Sequence, residues 1–271
     1  MYNISMFHKI LKYIFGFFLL GLILTAFSLS KTVLFLVSIF FIIIAMNEYR
    51  NMFKTKGIYP HVILPEFTGS LLAYLFIFYP YYIEKTPFIL PLLFFSIILS
   101  FIFTVILNKK PYIETSMSTI SAILFIFSGL YIIKLPYLTA PEASLKLLLT
   151  YFAAVLAGDY FASKIGPKYK KLLLAHEISP DKTVLGAFIN LISACTVCLI
   201  LKDIMPIGRC LLLGAVISIF SQFGDLTIST IKRELGLKHS GNLFCDYGGI
   251  FDRMDAFIFS APMVYYFFIF T

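Results

Sequence analysis

Asp225, Asp252 and Asp255 share one stretch, Gly224 to Asp255, with Lys232, Arg233, Lys238 and Arg253, and strongly apolar segments lie on both sides of it. Carboxylates are hard oxygen donors suited to divalent cations, and Lys and Arg grip phosphate oxygens. Asp252 and Asp255 are three residues apart, so on a helix they face one side and can share a cation, with Asp225 arriving from the end of the preceding span. Carboxylates this close repel one another unless a cation neutralises them. Gly248 and Gly249 permit a backbone turn that can approach a phosphate closely. A basic loop alone is most simply a membrane-hugging surface with snorkelling side chains. The added acids and glycines turn the reading towards phosphate chemistry at a membrane.

The elements that must position these residues are membrane spans. Of the 271 residues 60% are hydrophobic and only 13% charged, against about 45–50% and about 25% in soluble proteins. Mean hydropathy is +0.92, and apolar runs recur near the roughly 20 residues that cross a bilayer. The chain reads as an all-α polytopic membrane protein with about nine transmembrane helices, near residues 10–28, 32–47, 62–82, 87–107, 117–134, 144–163, 183–201, 207–226 and 255–270. The basic start followed by a long apolar run reads as an uncleaved first span. Residues 1–143 then supply N-terminal spans, and 144–271 the C-terminal spans with two polar loops, 164–182 and 227–254, all as one structural unit. Two spans separate those loops, so both emerge on the same side and can build one site. Alternating the loops places 16 of the 22 Lys and Arg residues on one face, which the positive-inside tendency makes cytoplasmic. The net charge of +8 is carried by short loops, which favours anionic lipids and phosphorylated substrates over nucleic acid. Cys195 and Cys198 form a CxxC within an apolar run and read as small buried residues. Asp159, ionisable inside a span, reads as functional or as paired with Lys164.

The last loop resembles the signature of the CDP-diacylglycerol synthases, also called phosphatidate cytidylyltransferases. Ser229, Lys232, Arg233, Lys238, Gly248, Gly249, Asp252, Arg253 and Asp255 stand at the spacing of that signature, after a matching Gly224-Asp225-Leu226. A second family element, Ser-Pro-x-Lys-Thr-x-x-Gly, is similar to Ser179, Pro180, Lys182, Thr183 and Gly186. The likeness covers roughly the last 110 residues, with Glu48 as a faint further match. It implies transfer of CMP from CTP to phosphatidic acid, giving CDP-diacylglycerol and pyrophosphate, with Mg²⁺ as cofactor. By resemblance Asp225, Asp252 and Asp255 bind the metal, and Lys232, Arg233 and Arg253 neutralise the transferring and leaving phosphates. Ser179, Lys182, Ser229, Lys238 and Tyr247 hold nucleotide or lipid phosphate. The implied setting is a bacterial inner membrane with the site facing the cytoplasm and membrane lipids around it; a homodimer is compatible with the resemblance.

Several positions depart from the family pattern. Lys238-His239 stands for its Lys-Asp, Cys245-Asp246-Tyr247 for its Pro-Gly-His, Ile228 for a Glu before Ser229, and Leu185 for a Glu before Gly186. These departures keep open a diverged, inactive homologue that binds lipid or nucleotide. A transporter is the rival of another class, disfavoured because no internal repeat is visible and the acids cluster near the final spans.

Overall fold

The computed structural model describes residues 21, 25, 29–80, 88–108, 110–168, 172–175, 178–243 and 248–271. Eight α-helices lie among these residues: α1 Lys31–Lys54, α2 Ile63–Phe78, α3 Ile89–Ile106, α4 Tyr112–Lys134, α5 Pro141–Ile165, α6 Val184–Cys198, α7 Ile207–Glu234 and α8 Phe251–Phe270. Strands β1 Leu173–Ala175 and β2 Ser179–Thr183 pair antiparallel, with Leu173 opposite Thr183 and Ala175 opposite Ser179. They form a small hairpin within the segment expected as a polar loop. Seven of the helical segments are long and apolar enough to cross a membrane. Helix α2 has 16 residues, about 24 Å of rise against a hydrocarbon core of about 30 Å. The first expected span, 10–28, falls almost wholly outside the described residues.

Several element boundaries differ from the expectation. The span expected over 32–47 runs on to Lys54 because Glu48, Tyr49 and Met52 continue the buried face past the apolar window. The loop expected over 227–254 is shorter at both ends: α7 carries Ser229, Lys232 and Arg233, and α8 already carries Asp252, Arg253 and Asp255. Gly236, at φ +71°, adopts the left-handed backbone that commonly closes a helix just past its end.

Helix α3 shows the membrane setting most directly. Its buried residues are Ser96, Ser100 and Thr104, while Leu90, Phe94, Phe95, Ile98, Phe101, Ile102 and Val105 are exposed. A helix in water would invert this arrangement. Small hydroxyl residues let helices approach closely, and each of these bonds a carbonyl of its own helix at 2.7 Å, so no donor is left to lipid.

The chain divides into two compact units. One comprises Gly21–Lys134 and Glu234–Asp252. Within it α1, α2 and α4 pack around Met46, Leu72, Phe76 and Ile123, none of which is exposed. Phe76 meets Tyr131 edge-on at 5.4 Å. The buried Lys134 ends α4 by donating to the Pro80 carbonyl at 2.6 Å and lies 5.5 Å from the Phe76 ring centre. The described part of the other unit is Leu135–Arg233 and Arg253–Thr271. Here Phe152 of α5 packs on Phe257 of α8 with centroids 4.8 Å apart. The Tyr151 hydroxyl shares a 2.8 Å hydrogen bond with Ser260 and donates to the Phe257 carbonyl at 3.2 Å. Cys198 and Cys210 are buried free thiols and Cys195 is partly buried, as the apolar reading of the CxxC requires.

Tyr151→Phe removes that hydroxyl from a fully packed position. The expected loss is about 1 kcal/mol, or a drop of roughly 2–4 °C in thermal midpoint in detergent, whereas Tyr160→Phe on an exposed surface stays within about 0.5 kcal/mol.

Candidate active site

The site grows from α7. Asp225, Ser229 and Lys232 are spaced four and three apart, so they line one helix face. Ser229 and Lys232 are buried, and the Ser229 hydroxyl donates to Asp225 Oδ1 at 3.3 Å. The other carboxylate oxygen, Oδ2, receives the Lys182 ammonium at 2.6 Å. Both side chains are about a quarter exposed, while the Lys182 nitrogen itself is buried; the pair is a close ionic contact rather than an aligned hydrogen bond.

Lys182 reaches this place because of a strand-to-helix corner. Thr183 is the extended N-cap of α6, and its hydroxyl accepts the Gly186 N–H at 3.0 Å. Such a cap satisfies one of the open amides of the first turn and fixes the direction of entry. Arg233 ties the far end of α7 to the same segment by donating from Nε to the Ile178 carbonyl at 3.2 Å. Ser179 opens β2 opposite Ala175 and is half-buried. The two sequence elements, 178–186 and 225–233, therefore meet within one unit.

Asp255 enters from α8 in the same unit. It is 5% exposed, and its Oδ1 accepts the Ala256 N–H at 2.8 Å. Gly224 is the contact point of the two helices: a Cβ there would collide with the Asp255 carbonyl oxygen. Glycine at such a crossing lets two backbones touch, which brings the positions of Asp225 and Asp255 side by side.

Asp252 belongs to the other unit and is occupied differently. Its Oδ2 accepts the Ser240 N–H at 2.8 Å and the Gly249 N–H at 3.2 Å, and lies 3.7 Å from His239 Nδ1. The Ser240 hydroxyl in turn accepts the Asp252 N–H at 3.2 Å. Gly248 has φ +87°, and a Cβ on it would strike the Asp252 carboxylate. The glycine turn thus closes on a carboxylate of its own chain. Lys238 and His239 are exposed. Tyr247, Cys245 and Asp246 lie outside the described residues.

Asp159 takes part in a polar network that the sequence signals only as scattered polar residues in apolar spans. Asn190 donates to Asp159 at 3.3 Å and accepts from Ser218 at 2.7 Å, and Gln222 donates to the Ser218 hydroxyl at 3.0 Å. The network joins α5, α6 and α7 one turn from Asp225. Lys164 reaches the Tyr160 hydroxyl at 3.0 Å.

Among the described residues no three His, Cys, Asp or Glu side chains gather as a ready-made metal cage. Mg²⁺ needs no such cage, since one or two carboxylates plus substrate phosphates commonly hold it. Asp225 and Asp255 at the helix crossing fit that donor set, and the Lys182 ammonium shows that Asp225 accepts a cation at close range.

A helical membrane protein with Lys, Arg, Ser and Asp gathered at the ends of its last spans belongs among the membrane-embedded phosphate-handling proteins. The sequence profile of the Cytidylyltransferase family matches residues 10–271, and the chain belongs to that family. The phosphatidate cytidylyltransferase of Bacillus subtilis (strain 168) is 31% identical over 236 residues, covering 82% of this chain and 84% of the relative. That of Aquifex aeolicus (strain VF5) is 34% identical over 152 residues, 54% of this chain and 55% of its own length. That of Synechocystis sp. is 39% identical over 120 residues, 43% and 41% of the two chains.

A double-mutant cycle on Lys182→Met and Asp225→Asn, read by thermal unfolding, is expected to give a coupling of about 0.5–1 kcal/mol, the scale of a partly exposed ion pair. A coupling near zero would mean that the two groups do not interact in solution.

Proposed function

We propose that the protein transfers CMP from CTP to phosphatidic acid, forming CDP-diacylglycerol and releasing pyrophosphate. The supporting observation is the Lys182–Asp225–Ser229 cluster, in which the two sequence elements of the site meet, in a chain whose relatives carry the phosphatidate cytidylyltransferase name. A phosphate oxygen of phosphatidic acid attacks the α-phosphorus of CTP; the new P–O bond forms as the bond to the β-phosphate oxygen breaks, and pyrophosphate carries away the electron pair. A phosphomonoester is already anionic near neutrality, with a second pKa of about 6, so no strong general base is required. The task is in-line positioning and charge neutralisation.

The reading assigns those tasks residue by residue. Lys232, Arg233 and Arg253 neutralise the transferring and leaving phosphates. Lys182, Ser179, Ser229 and Lys238 hold nucleotide or lipid phosphate, and the signature position of Tyr247 gives it the same task. Lys182 exchanges its contact with Asp225 for phosphate oxygens when substrate arrives. Asp225 and Asp255, with Asp252 one turn earlier on α8, would hold Mg²⁺. Held there, such an ion would supply positive charge that lowers the cost of the negative charge building up in transfer. The setting is a bacterial inner membrane, in keeping with the bacterial relatives, and the 16 basic residues on one face favour a site facing the cytoplasm.

The test is formation of CDP-diacylglycerol and pyrophosphate by the purified protein with CTP, phosphatidic acid and Mg²⁺. Turnover is expected, with Asp255→Asn lowering kcat by roughly a hundredfold or more, the scale of losing one charge-stabilising group. A folded protein that binds lipid but yields no pyrophosphate would instead be the inactive homologue.

A further inference from the structure

Glu48 stands near the end of α1 and is only 7% exposed. Its Oε2 accepts the N–H of Ile250 at 2.7 Å, and its Oε1 accepts the N–H of Phe251 at 2.9 Å, across 202 and 203 residues of sequence. Ile250 immediately precedes α8 and Phe251 is its first residue. These amides belong to the group that a helix start cannot satisfy internally, and the helix macrodipole favours an anion at that end.

The surrounding turn is shaped to admit this one carboxylate. A Cβ on Gly249 would collide with it, and a Cβ on Gly241 would stand 2.9 Å from its Cγ. The next residue, Tyr49, packs its ring against that of Phe251 at a tilt of 50°, with centroids 5.6 Å apart, and shares a 2.6 Å hydrogen bond with Ser121 of α4. The end of α1 is therefore held by α4 while Glu48 holds the turn. Burying a carboxylate is costly, and an ordinary helix start is served by a Ser, Thr, Asp or Asn just before it. A cap delivered from another helix does something more, because it ties the turn before α8 to α1 within one compact unit.

We infer that Glu48 is a positioning residue for CMP transfer: its carboxylate clamps the Ile250 and Phe251 amides and so sets the start of α8 and with it Asp252, the next residue. The inference rests on the proposed activity for its consequence, though not for the clamp itself. Both oxygens are in use, so the clamp needs an acid. A Gln in this place offers one acceptor and turns its NH₂ against the second backbone donor.

Hydrogen–deuterium exchange of the peptide spanning 248–252, together with steady-state kinetics of the purified full chain, tests this. Glu48→Gln is expected to speed exchange at Ile250 and Phe251 by about tenfold or more. It is also expected to lower kcat by up to about a hundredfold, the penalty of misplacing reacting groups by about 1 Å. The KM for CTP stays within about threefold, because the groups that bind ground-state substrate are kept, while the Mg²⁺ concentration for half-maximal rate rises. Asn47→Ala, which removes only a bond to the Ile43 carbonyl on the exposed face, leaves exchange and kcat unchanged. Unaltered exchange in Glu48→Gln would overturn the clamp, and faster exchange with unaltered kcat would overturn its role in positioning. If Glu48→Gln does not yield folded protein, Glu48→Asp, one methylene short but still charged, is read for the same two changes. A wild-type protein without turnover would sink the activity reading and with it the positioning role, while the exchange arm still decides the clamp.

Discussion

The close crossing of α7 and α8 at Gly224 is the constraint on which the site depends. With the Asp255 carbonyl where the Gly224 side chain would be, the two helix backbones meet one residue from Asp225. Two acids carried to the same crossing would repel in a region poor in water, so the place demands positive charge. Lys182 supplies it at 2.6 Å. The hairpin that delivers Lys182, the Thr183 cap that fixes its corner and the Arg233 bond to Ile178 all serve to keep that charge at the crossing.

Membrane physics explains how such a site can be held firm. Apolar packing between helices gives little preference over lipid, so contact depends on small residues and on hydrogen bonds that cannot be left open. Helix α3 turns its hydroxyls inward and its aromatic side chains outward. The Asp159–Asn190–Ser218–Gln222 network ties α5, α6 and α7 together behind Asp225, and Tyr151 binds α5 to α8. Each of these side chains is polar and interrupts an apolar span.

Much of this was legible in the sequence, and the failures have physical reasons. Hydropathy located every helix that the described residues contain, because lipid selects long apolar runs. It ended α1 too early, since a window that averages hydropathy stops at Asn47 although Glu48, Tyr49 and Met52 still face inward. The alternation of spans put the two polar loops on one side, and Lys182 does reach Asp225, which Ser229 also contacts. Spacing did not show that a side chain on Gly248 would meet the Asp252 carboxylate and one on Gly249 the Glu48 carboxylate. Nothing local could reveal that Glu48 meets Ile250, since a contact across 202 residues is set by tertiary packing. The signal was a carboxylate placed where an apolar span should have ended, at a position that also matches the family pattern.

The most direct test of the account is the rate of pyrophosphate release by Gly224→Ala beside the wild type, with CTP, phosphatidic acid and Mg²⁺. One methyl group at this position must push α8 away from α7. Transfer is expected to fall by up to about a hundredfold while helical content is largely kept and the thermal midpoint in detergent drops by a few degrees. Release at the wild-type rate by the folded variant would contradict it, for the carboxylates would then not depend on the crossing that carries them.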